Sequence, residues 1–113
     1  MTHSAPQFLS ASTLTGDIVK TPQGDALGDL KDIMIDTLSG KVAYGVLSFG
    51  GVLGMGEKLF AVPWNALTVD GANKSLVLNA SKDRLSNAPG FDKDHWPNFA
   101  DPAFVEELRG YYA

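Results

Sequence analysis

At 113 residues the chain has room for one domain and one hydrophobic core rather than two. Its 44% hydrophobic and 19% charged composition is that of an ordinary globular protein. A net charge of -4 with scattered Lys and Arg argues against a nucleic-acid reader, and the lack of cysteine excludes disulfides and thiolate chemistry and fits a reducing cytoplasm.

In chain order, residues 1–12 (MTHSAPQFLSAS) show no hydrophobic period and predict a flexible lead-in anchored only by Phe8 and Leu9. They lack the basic start and apolar run of a signal peptide. No stretch approaches the roughly 20 apolar residues of a membrane span, so a soluble, cytoplasmic protein is expected. Residues 17–20 predict a short strand, closed by a Pro and Gly turn at 21–25. Residues 27–30 lead into a second strand at 31–36, with Ile33 and Ile35 on one face and Asp32, Met34 and Asp36 on the other. A turn at 37–41 precedes the central stretch, residues 42–64.

That stretch holds two β-branched and aromatic runs, 42–49 and 58–62, joined by a loop with four glycines, GGVLGMG at 50–56. The pattern reads as an antiparallel hairpin. Val42, Tyr44, Val46 and Ser48 alternate with Ala43, Gly45, Leu47 and Phe49, and both sides are largely apolar. Strands at 67–70 and 75–78, separated by the turn 71–74, complete a set of six. Six short strands between turn signals predict an all-β sandwich or small barrel, with antiparallel pairing between neighbours.

The last third changes character. Ser81 predicts the N-cap of one helical turn, ended by Pro89 and Gly90. Residues 91–98 are irregular, and their Phe91 and Trp96 need cover. Asp101 followed by Pro102 is a strong helix start. Phe104, Leu108 and Tyr111 then share one face at helical spacing.

Few residues suggest chemistry. The glycine loop has the freedom to cradle an anion, but a strand rather than a helix follows it, and no Gly-Lys-Ser/Thr is present. A hairpin loop with Val52, Leu53 and Met55 at its tip is the better reading, and apolar residues there predict a contact. Asp25, Asp29, Asp32 and Asp36 lack EF-hand spacing and read as solvated charges that discourage edge pairing. His3 and His95 form no ligand set, and no nucleophile elbow occurs. The aromatic set Phe91, Trp96, Phe99, Phe104, Tyr111 and Tyr112 reads as core or interface cover, because the acidic balance disfavours base stacking.

Taken in order, LGDLKDIMID at 27–36, GKVAYGVLS at 40–48, GGVLGMGEK at 50–58 and AVPW at 61–64 are similar to the PRC-barrel domain family. The resemblance spans roughly residues 12–80, and the tail resembles that of small stand-alone bacterial members. It implies a compact six-stranded β-barrel used as a binding and assembly module. Family relatives include the cytoplasmic part of the photosynthetic reaction centre H subunit and the second domain of a ribosome maturation factor. The membrane span of the first and the leading domain of the second are not expected here. The family has no shared catalytic motif, so no catalytic residue is implied.

The expectation is therefore an all-β, six-stranded antiparallel barrel over residues 13–80 with a short helical extension over 81–113. Its expected role is non-catalytic binding and assembly, with no cofactor and no metal. A homodimer is expected because the central strands are apolar on both faces, and a protein partner is the other candidate. The contact residues would be the loop Gly50, Gly51, Val52, Leu53, Gly54, Met55 and Gly56, together with the aromatics Phe49, Trp64, Trp96, Phe104 and Tyr111. The alternatives are a small-ligand binder or enzyme using the 50–56 loop, and a ribosome-associated factor.

Overall fold

The computed structural model describes residues 8–49, 58–92 and 94–112. Its elements in chain order begin with α1 (Ala11–Leu14), β1 (Ile18–Lys20), β2 (Ala26–Asp36), β3 (Lys41–Phe49) and β4 (Lys58–Pro63). A 3-10 turn (Trp64–Ala66), β5 (Leu67–Asp70), β6 (Ser75–Leu78), α2 (Lys82–Ser86) and α3 (Pro102–Tyr112) follow. All six strands form one sheet in the order β4-β3-β2-β1-β6-β5, which makes a half-barrel with β4 and β5 as its edges. No helix among the described residues is long and apolar enough to cross a membrane.

The all-β, barrel-like fold and its strand positions match expectation, and one pairing corrects it. Neighbouring strands pair antiparallel, but β1 and β6 run parallel, with Ile18 opposite Ser75 and Val19 opposite Leu76. A tight turn dictates direction only for strands adjacent in sequence. β1 and β6 meet only when the whole sheet curls, so their sense is a tertiary outcome.

Bulges supply the curl. Lys31 is the extra residue between the pairs Leu30–Leu47 and Asp32–Val46, and Ala43 is the extra residue between Met34–Tyr44 and Ile35–Val42. Each bulge bends its strand and strengthens the twist. The bulge at Ala43 also breaks the strict alternation that the sequence suggests for Val42 and Tyr44. Ile33 packs on the core, whereas Ile35, paired with Val42, remains 55% exposed.

The inner core is built from Val19, Leu27, Leu30, Leu47, Phe60, Val62, Leu76 and Leu78. Leu14 of α1 and Leu85 of α2 are also buried in it. α1 escapes sequence reading because it is a single turn, set by Ser10, whose side chain accepts from the Thr13 N–H at 3.1 Å. α2 starts where Ser81 predicts, with the Ser81 hydroxyl accepting from the Arg84 N–H at 3.1 Å. α3 likewise starts at Asp101, whose carboxylate accepts from the Ala103 N–H at 3.0 Å.

Candidate interaction surface

The hairpin β3–β4 has two buried faces. Leu47, Phe60 and Val62 face the inner core, so by strand alternation Val46, Leu59 and Ala61 face outward. Those three are nonetheless fully buried, and so is Leu108 of α3, which packs against β4. The C-terminal extension therefore forms a second, outer layer. Its first anchor is backbone pairing on the β4 edge. The N–H groups of Leu59 and Phe91 each donate to the other's carbonyl at 2.8 Å.

From Phe91 onward the extension carries a ring cluster centred on Phe99. Its centroid lies 5.4 Å from Tyr44, 5.7 Å from Phe104, 6.1 Å from Trp96 and 6.2 Å from Phe91, and Phe91 lies 5.2 Å from Trp96. Tilted and edge contacts at such distances suit the ring quadrupoles. Tyr44, Phe91, Phe99 and Phe104 are half-buried, and Trp96 is 40% exposed. The cluster is packed but not sealed.

The far end of α3 is held by a clasp. The Arg84 guanidinium donates to the Tyr111 carbonyl, the Tyr111 hydroxyl donates to the Arg84 carbonyl, and the guanidinium carbon sits 4.5 Å from the Tyr111 ring centroid. Between α3, the start of β3 and the 3-10 turn runs a groove of about 730 Å³. Val42 and Tyr44, Pro63 to Ala66, and Val105, Leu108, Arg109 and Tyr112 line it.

Electrostatics are mild. Burial pushes the Tyr44 phenol above its ordinary value, partly opposed by the nearby Arg109 guanidinium. Tyr112 is pushed up further, chiefly by burial. Its hydroxyl is buried and has no hydrogen-bond partner. His95 pairs with Asp92 at 2.7 Å rather than with its neighbour Asp94, and that hydrogen bond holds the Asp92 carboxyl below its usual range. Backbone N–H groups of Leu38 and Ser39 do the same for Asp36. Among the described residues no group of His and carboxylate side chains could hold a metal ion.

Tyr112 gives an expected pH dependence. A tyrosine whose pKa is raised by folding holds its proton in the native state after the unfolded chain has lost it. Stability should therefore fall as pH rises above about 10. Tyr112→Phe should make that fall shallower, and near neutral pH it should raise stability by about 1 kcal/mol by removing a buried, unpartnered hydroxyl. Urea denaturation at neutral pH and at about pH 10.5 checks both. A lower neutral midpoint for the variant would show that the hydroxyl has a partner.

The expected contact residues divide into groups. The loop Gly50 to Gly56 lies outside the described residues. Phe49 turns inward, edge-on to Phe60 at 5.8 Å, and Trp64 both packs on the inner core and lines the groove. Trp96 and Phe104 are brought together through Phe99, and Tyr111 is engaged by Arg84. Tyr44 and Arg109 were not singled out. The available signals were the outward position of Tyr44 on β3 and the placement of Arg109 one turn after Val105.

The family model described as PRC-barrel domain matches residues 6–85. A search of curated proteins finds no match.

Proposed function

The chain belongs to the PRC-barrel domain family, and from that membership we propose that it is a non-catalytic binding and assembly module that self-associates through the patch around Phe99. One observation supports this reading above the others. Five aromatic rings gathered on the outer layer remain partly open to solvent, with Trp96 at 40% exposure. Rings carry no net charge, so a second copy presenting the same patch meets no like-charge repulsion at its centre, as a two-fold contact requires. The same reading puts the module in the cytoplasm, in keeping with a sequence without cysteine.

Light scattering on the purified chain, at concentrations on the order of tens of micromolar, tests it. The expected mass is twice 12.0 kDa. Trp96→Ser should shift the mass towards the monomer while the circular dichroism spectrum stays unchanged, because Trp96 is the most exposed ring of the cluster. A monomeric mass for the unaltered chain defeats self-association. A dimer indifferent to Trp96→Ser moves the contact away from this patch.

A further inference from the structure

The groove between β3, the 3-10 turn and α3 shares Tyr44 with the aromatic patch but runs away from Phe99 along the flank of α3 that carries Val105, Arg109 and Tyr112. We infer that it is a binding site for a small aromatic carboxylate, with Arg109 taking the carboxylate and the rings of the groove wall taking the aromatic body.

Size comes first. A volume of about 730 Å³ lies within the roughly 300–1,000 Å³ of sites that take small molecules. Wall chemistry comes second. Tyr44, Trp64, Tyr112 and Pro63 line the groove, and side chains with rings suit a planar aromatic body better than a branched aliphatic one. Charge comes third. Arg109 is the charged residue of the described lining, in a chain whose net charge is -4. A guanidinium has five donors, and Glu106 engages one nitrogen, at 2.7 Å from Nη1. An anion is what the rim recognises, and a carboxylate matches the guanidinium fork.

The fourth observation comes from the buried wall. Tyr112 lines both the groove and a second cavity of about 330 Å³, as do Asn65 and Ala66. The Tyr112 hydroxyl is itself buried without a hydrogen-bond partner. That oxygen is closed to solvent, so a polar ring substituent, or a water carried in with the ligand, would become its partner only as the Tyr112 ring turns on binding. A wholly apolar ligand would leave it unanswered. The inference stands apart from the assembly reading: self-association is decided by mass, and this site by titration.

The test is a titration of the full chain with 2-naphthoate, followed by amide chemical shifts. Saturable binding with a Kd below about 1 mM is expected. The largest shifts should fall at residues 42–44, 64–66 and 105–112. The neutral analogue 2-naphthalenemethanol should bind about tenfold more weakly, and Arg109→Gln should weaken 2-naphthoate by a similar factor. Arg109→Lys should restore part of the loss. The Arg109 side chain is 67% exposed, so these variants should fold. The absence of saturable shifts overturns the proposal. Equal binding of the neutral alcohol, or by Arg109→Gln, overturns it as well. So do shifts centred on residues 91–104, which would assign the ligand to the aromatic patch.

Discussion

Gly28→Ala is expected to lower the thermal midpoint by about 10 °C or more. Gly28 sits in β2 where β3 crosses closest, and a Cβ built there would lie 2.0 Å from the Ser48 carbonyl oxygen and 3.1 Å from its carbon. Both atoms are backbone, so no rotamer change relieves the contact. The end of β3 would have to move away, loosening the pairing of Asp29 with Ser48 and the seat of Phe49 against Phe60. Overpacking of this kind costs about 2–3 kcal/mol or more, and each 1 kcal/mol shifts the midpoint of a domain this size by about 4–8 °C. Gly110→Ala is the control. It lies in α3 with nothing within 4 Å of the added carbon, and alanine is the better helix former by up to about 1 kcal/mol. Its midpoint should hold or rise. If Gly28→Ala melts with the unaltered chain, β2 and β3 do not approach as closely as described.

Leu108→Ala should release α3 while leaving the half-barrel folded. Leu108 is 1% exposed, and truncating a side chain so well buried costs about 2–4 kcal/mol. That cost falls on the outer layer, because Leu108 is not part of the inner core that holds Val19, Leu30, Leu47 and Phe60. What remains to hold α3 is the packing of Tyr111 and Tyr112 on the inner core with the Arg84–Tyr111 clasp at one end, and the Phe104–Phe99 contact at the other. Native-state hydrogen exchange reads the result: amides of α3 should lose protection while those of β2 and β3 keep theirs. Uniform loss across the sheet would instead mean that extension and barrel fold as one cooperative unit. A released α3 would also uncover Val46, Leu59 and Ala61, so the variant should associate or aggregate more readily.

The class of the protein and most of its element boundaries were legible in local patterning. β-branched and aromatic runs bounded by Gly and Pro turns are a local signal, and they place β3 through β6 to within a residue or two. Helix caps are local too. Ser81 and Asp101 start α2 and α3 where their side chains can reach the first free N–H groups. The doubly apolar character of β3, from which a homodimer was expected, is met within the single chain, whose C-terminal extension covers the outer face.

Tertiary structure decided what covers each face and how the sheet closes. The parallel union of β1 with β6 has no local signature, because residues 18–20 and 75–77 meet only after the bulges at Lys31 and Ala43 have curled the sheet. The need for glycine at position 28 is equally silent, since it arises from a carbonyl twenty residues away. The outer layer is of the same kind. Tyr44 lies far along the chain from Phe99 and Phe104, and the three share one cluster because Phe91 pairs with the edge of β4 and turns the extension back across the hairpin. Arg109 and Tyr112 acquire a groove to line for the same reason. The groove lies between α3, β3 and the 3-10 turn, elements brought together only by packing, so the residues that line it have no local signal.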